Sequence, residues 1–296
     1  MTGATASANR RPYGSGPIGW LRRNGIVIFA GLATLYMLIP IAVIALFSFG
    51  DTPADRLTFD LSDGLTLKYW ANAFGVAPIN EALLTSIELA ALATLGATIL
   101  GTAMAIALVR YEFFGRKLSN LLIILPMASP EIVIGAALLS FFINSAIVPL
   151  GFATLLIAHI MFSISFVVVV VRSRLIGFDR RLEEAAADLG AGPWETFRLV
   201  TLPLIAPGVA SAAALAFALS IDDFVISNFN SGTTETFPLY VYGADLRGIP
   251  VQVNVIATLL FAVAVVGIVF VIFQQRRAEK LAARRDEDDG AALAAG

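Results

Sequence analysis

Four carboxylates interrupt or end long apolar runs in this chain: Glu88, Glu131, Asp222 and Asp223. An ionisable group inside a bilayer is costly, so each is a functional hypothesis by default; a carboxylate there can bind a cation or relay a proton. Glu131 falls near the middle of a run long enough to span a bilayer, close to the midplane. Pro126 and Pro130 precede it, remove two backbone donors, and predict a helix bent or opened beside the carboxylate. Glu88 lies nearer the outside, and Asp222 and Asp223 sit at the outer end of a later run, where a gate would be. No Lys or Arg falls inside any of these runs, so the field within them is acidic, which suits a cationic solute and disfavours sulfate or phosphate esters. A plainer reading stands beside this one: Glu131 as a protonated or hydrogen-bonded packing residue, and the aspartates as a helix-end pair. Adjacent helical positions differ by about 100°, so Asp222 and Asp223 cannot both face one pore. Phe224, Phe229, Tyr240 and Tyr242 follow them, either as aromatic faces for a cation or as an ordinary interfacial belt. The single histidine, His159, lies in an apolar run; a packed or hydrogen-bonded imidazole is its ordinary state there.

A second group of residues is polar and lies between apolar runs: "EEAAADLGAGPWETFRLVTLP", residues 183–203. "RRLEEAAADLG" has helix-forming residues and then Gly190, a natural C-terminal stop. "GPWETFRLV" restarts at once, with Pro193 suited to a first helical turn. Two short helices around a glycine corner are expected. Ala185, Ala186 and Ala187 make a surface nearly free of side chains that another protein can approach closely, and Glu183, Glu184 and Asp188 offer that partner a few charges. A solvated amphipathic loop is the alternative.

The elements that must hold these residues follow from composition. Of 296 residues, 58% are hydrophobic and 14% charged, against roughly 25% charged in soluble domains, so the chain is an all-α integral membrane protein. With no cysteine there is no disulfide framework and no Cys-ligated metal. Residues 25–49 and 83–109 are each long enough to span. The uncharged run 132–171 is about twice the length a bilayer core needs, so the chain turns back within it, at "INSAIVPLG". Spans three and four flank that turn, and residues 202–221 and 249–273 supply the fifth and sixth.

Basic residues set the orientation. Only Arg56, Lys68 and Arg247 of the 20 fall on one side, whereas Asp51, Asp55, Asp60, Asp63, Asp222, Asp223, Glu235 and Asp245 lie on that side or at its edge. Both termini and the 183–203 loop are therefore expected in the cytoplasm. Residues 1–24 and 274–296 read as mobile tails around a permease-like domain of residues 25–273.

The spacing Glu184-Ala185-Ala186, three residues, Gly190, nine residues, Val200, one residue, Leu202-Pro203 resembles the EAA loop of ABC-importer permeases, with Val in place of the commoner Ile. "SIDDFVIS" (220–227), its surroundings, and "LPMASPEIVIGAALLSFF" resemble the second permease subunit of spermidine/putrescine importers. The similarity covers residues 70–273 and fades in the outer loop before Trp70 and in the tails. It implies a type I importer architecture in a bacterial inner membrane, with the loop, including Ala191, as the coupling helix that docks on an ATPase. It further implies a homologous second permease, two ATPase subunits and an extracytoplasmic solute-binding protein, and polyamines as solute, with ferric iron, thiamine or phosphonate as family alternatives.

This chain carries no GxxxxGK[ST] phosphate loop, so ATP and Mg²⁺ are expected on the partner ATPase and no cofactor here. Nothing in the pattern points to covalent catalysis, a metal site or nucleic-acid binding. Two rivals belong to other classes: a proton-coupled transporter using Glu88 and Glu131, and an assembly protein for which the loop is only a dock. The first commonly carries internal repeats, and no long repeat is present.

Overall fold

In the computed structural model, which describes residues 17–51, 64–177, 179–245 and 248–295, the chain is helical throughout apart from turns and one isolated antiparallel bridge, Gly50 to Leu65. It divides into two units, one of residues 74–249 and one of residues 1–73 with 250–296. In the larger unit, α3 (Ala77–Arg110), α6 (Phe152–Ile176) and α9 (Leu202–Ile221) pack on one another. Their shared core holds Ala97, Ala105 and Leu108 of α3, Val167, Val168 and Val171 of α6, and Ile205, Ala212 and Ala216 of α9. Lipid tails are as apolar as leucine, so close van der Waals packing has to hold such helices together, and small residues allow it. At Gly101 the fit is tight enough that a Cβ would lie 2.7 Å from Val167 Cγ1.

The third expected span is broken. Helices α4 (Arg116–Ala128) and α5 (Glu131–Ser145) meet at 113° across Ser129 and Pro130. Pro130 has no amide proton and forces its predecessor out of the helical region, and Ser129 is extended at φ −89°, ψ 143°. A bend was expected from the prolines; the structure makes it a corner. Glu131 is accordingly not in mid-helix but is the first residue of α5, with an exposed side chain. There its charge complements the positive end of the helix dipole. The turn after α5 lies at "INSAIVPLG", as expected, with Ala146 left-handed at φ 50°.

Among the described residues five helices are long and apolar enough to cross a membrane, and the α4–α5 pair makes a sixth if counted as one span. α7 (Arg181–Asp188) stands alone, but α8 (Pro193–Thr196) runs through a π turn, Phe197–Thr201, into α9. The second loop helix is thus the start of a 29-residue apolar stretch, Pro193–Ile221, rather than a separate element. Two shorter helices follow, α10 (Val225–Asn230) and α11 (Phe237–Asp245). α10 lies so close to α5 that a Cβ at Gly135 would come within 2.7 Å of Phe229 Cδ2.

In the smaller unit, α1 (Pro17–Phe47) packs with α12 (Val251–Ala295). α2 (Lys68–Ala71) carries Trp70, whose indole stacks on Phe49 at 5.2 Å and donates to Ser48 Oγ at 3.2 Å. α12 continues through the stretch read as a mobile tail, because Ala, Arg, Lys and Glu favour helix even where charge is dense. The tail residues 1–16 and Asp55, Arg56, Asp60, Asp63 and Arg247 lie outside the described residues.

Candidate functional site

The loop between α6 and α9 is built from capping chemistry. Asp179 Oδ1 accepts from the Arg181 amide at 3.0 Å and starts α7. The helix ends in a Schellman arrangement: the Ala191 amide donates to the Ala186 carbonyl at 3.0 Å and the Gly190 amide to the Ala187 carbonyl at 2.9 Å. That geometry requires a left-handed residue, and Gly190 supplies it at φ +88°. Two residues on, the Gly192 amide donates to Glu195 Oε2 at 3.1 Å, which opens α8 with Pro193 in its first turn.

The acids of α7 divide by face. Glu184 and Asp188, four residues apart, share one exposed side of the helix with Ala185 beside them. Glu183 turns the other way. Its Oε1 accepts from Arg110 Nη2 at 3.0 Å and from Thr201 Oγ1 at 2.7 Å. The two side chains of that ion pair are 13% and 18% exposed. One carboxylate oxygen therefore ties α7 both to the last residue of α3 and to the π turn that leads into α9. A cavity of about 420 Å³ lies behind this tie, lined among others by Arg110, Arg180, Glu183, Ala191 and Phe197. The outer rim of the loop carries large exposed apolar side chains, Leu189 at 90% and Trp194 at 69%, the latter tilted against the Phe197 ring at 5.5 Å. Both residues stood in the sequence pattern without a role; exposed large apolar side chains on a capped corner are the kind of surface that protein partners cover. Leu202 and Pro203, the end of the motif, form the first turn of α9 and are exposed.

The second group lies where α9 ends. Asp222 is the C-cap residue of α9 and is exposed, whereas the neighbouring Asp223 side chain is 6% exposed. Asp223 Oδ1 and Oδ2 accept from the amides of Ile226 and Ser227 at 3.2 and 2.8 Å, capping α10. Oδ2 also lies 3.4 Å from His159 Nε2. His159, 2% exposed in α6, has its Nδ1 2.7 Å from Ser220 Oγ and its Nε2 3.1 Å from Ser227 Oγ. The two aspartates therefore face different ways, as their helical spacing requires, and of the pair Asp222 is the exposed one. Phe224 stacks on Tyr242 at 4.8 Å, and Tyr240 is half-buried with its amide bonded to the Thr236 carbonyl. Glu88 is exposed on α3. Among the described residues no hydrogen bond or ion pair joins Glu88, Glu131 and Asp222 to one another, and no cluster of His, Asp and Glu could hold a metal ion. The hydrogen-bonded histidine was expected in kind, but its partners, 61 to 68 residues away in the chain, carry no local signal.

Comparison with known proteins places this architecture. A family model described as the inner membrane component of binding-protein-dependent transport systems matches residues 97–281. The spermidine/putrescine transport system permease protein PotC of Escherichia coli strain K12 is 37% identical over 254 residues, 85% of this chain and 93% of its own. The putrescine transport system permease protein PotI of the same strain is 34% identical over 263 residues, 86% and 91% of the two chains. Among solved structures, a chain of a bacterial ABC transporter that imports the acidic polysaccharide alginate superposes with a TM-score of 0.62 at 20% identity, covering 89% of this chain and 99% of that one. A chain of the alginate transporter bound to its substrate-loaded periplasmic protein gives 0.60 at 16% identity, covering 85% and 93%.

Proposed function

This chain belongs to the inner membrane components of binding-protein-dependent transport systems, and from that premise we propose that it is one permease of an ATP-driven importer of polyamines, putrescine and spermidine. The observation that carries the proposal is the Schellman-closed corner at Gly190, which leaves Glu184, Ala185 and Asp188 exposed on one side of α7 with Ala186 half-buried beside them. Such a corner docks on a cytoplasmic ATPase, which binds ATP and Mg²⁺. Two ATPase subunits, a homologous second permease and an extracytoplasmic solute-binding protein complete the assembly. The names of the two Escherichia coli relatives support the solute class. So do the exposed carboxylates Glu88, Glu131 and Asp222 in a chain whose apolar runs 83–109, 118–171 and 202–221 carry no Lys or Arg. The alginate transporter bound to its periplasmic protein supports a delivery partner on the outer side.

Neutralising a path carboxylate acts on the outward-to-inward transition, because first capture belongs to the binding protein. Glu131→Gln and Asp222→Asn are each expected to lower the maximal uptake rate roughly tenfold, the scale of one lost contact worth about 1.4 kcal/mol, with the half-saturating concentration little changed. Uptake of labelled putrescine and spermidine into vesicles holding the whole assembly measures this. Wild-type rates in both variants, or selective uptake of an anion by the native assembly, would refute the cationic path.

Orientation is tested separately. The chain lacks cysteine, so a single Cys at Ala4 or Ala294 gives clean labelling. Both are expected to resist an impermeant thiol reagent in intact cells and to react once the cells are opened; labelling of either in intact cells places that terminus outside.

A further inference from the structure

The corner between α9 and α10 is held by one buried imidazole from a third helix. Asp223 is ionised in its capping role and can only accept, so the His159 nitrogen facing it, Nε2, carries the proton. In the neutral ring Nδ1 is then an acceptor, and the Ser220 hydroxyl at 2.7 Å donates to it. The ring thus joins the last turn of α9 through Ser220, the first turn of α10 through Ser227, and the carboxylate that caps α10. Its apolar surroundings, Ala158, Phe162 and Ile226, are themselves buried, so no water replaces a lost partner. Asp222 and Asp223 are adjacent, and turning one in fixes the other out.

We propose that His159 is a positioning residue for solute passage: by holding Asp223 inward between Ser220 and Ser227 it sets the α9–α10 corner that presents Asp222 to the path. The proposal rests on the reading of Asp222 as a path group and goes beyond it by naming what aims that carboxylate. His159 touches no solute. Its removal lets the corner turn, which lowers the rate of the transition without changing capture.

The test has two arms on the assembled transporter in vesicles. In the first, a reporter Cys replaces Ile226, which is 1% exposed, donates its amide to Asp223 and packs with Ala158 and Phe162; the Cys variant with His159 present is the reference for every comparison. It is expected to resist a hydrophilic thiol reagent with His159 present and to react at least about tenfold faster with His159→Leu, while His159→Gln, which keeps a donor and an acceptor, restores protection. In the second arm, His159→Leu lowers maximal polyamine uptake roughly tenfold, the scale of one lost bond to a charged group, with half-saturation unchanged, and His159→Gln recovers most of it. Protection of Ile226→Cys in the Leu variant, or loss of uptake without a change in labelling, overturns the proposal. If His159→Leu does not accumulate in the membrane, Ser227→Ala keeps the ring and removes one partner, and the same comparison decides. If the native assembly takes up no polyamine, the transport reading fails, while the labelling arm still reports whether His159 holds the corner.

Discussion

Gly190→Pro is expected to cut solute uptake roughly hundredfold and to break its link to ATP hydrolysis, while the chain still inserts and assembles. Three local facts converge on that size. Gly190 sits at φ +88°, and proline is locked near −65°. Its amide donates to the Ala187 carbonyl at 2.9 Å, a bond proline cannot make. Leu189 before it is at φ −80°, ψ 3°, a region disfavoured ahead of proline. A proline conflict of this kind costs about 3 kcal/mol, or about two decades in the population of the docking-competent corner. Gly190→Ala separates backbone from sterics. Nothing lies within 4 Å of a Cβ there, so only the left-handed penalty of about 1 kcal/mol remains, a loss of roughly fivefold. Gly190→Asn, which tolerates that conformation, should stay close to wild type. The readouts are uptake and solute-stimulated ATPase activity of reconstituted assemblies. The ranking Asn, Ala, Pro in increasing severity is the signature of the backbone; a proline variant with normal uptake and stimulation would remove the corner from the coupling path. Glu184→Arg, which reverses an exposed charge without touching the corner, tests the face instead and should lose uptake with the α7 fold intact.

What could be read from the residues and what could not divides along the range of the interaction. Gly190 and Pro193 were legible because helix ends are local: a left-handed stop and a first-turn proline depend on a few neighbours. α9 ends at Ile221, as expected, because its apolar run ends where two aspartates begin. Pro126 and Pro130 announced a bend, but the 113° of the corner also depends on how α5 packs against α10, through Gly135 and Phe229, 94 positions apart. That angle makes Glu131 the start of a helix rather than a mid-helix residue. Glu183 and Glu184 are indistinguishable as letters, and only the position of Arg110 and Thr201 makes one an anchor and the other a free face. His159 and Asp223 likewise meet only because α6 lies beside the α9–α10 corner. In the tail the charge run was legible but its backbone was not: α12 continues through it as helix to Ala295.

Arg110→Met is expected to lower coupled uptake about thirtyfold, and Glu183→Met added to it is expected to restore much of the loss. The pair is mostly but not fully buried. Breaking a buried pair by removing one member costs about 3 to 5 kcal/mol, and partial exposure brings that to about 2, because water screens part of the stranded charge. About 2 kcal/mol is a factor of about thirty. The stranded group matters more than the lost attraction: with Arg110 gone, the Glu183 carboxylate keeps Thr201 as a donor but loses its countercharge in a confined space. Removing both charges takes that penalty away and leaves apolar side chains against a lining that already holds Ile106 and Phe197. The effect should appear in coupling rather than in assembly, because the tie joins α7, the proposed docking helix, to the end of α3 and to the π turn leading into α9. Uptake per ATP hydrolysed, measured for both single variants and the double, decides it. A double variant as impaired as the sum of its parts would mean that the charges themselves take part in transmission. A double variant near wild type would make Glu183 an anchor for the face that Glu184 and Asp188 present.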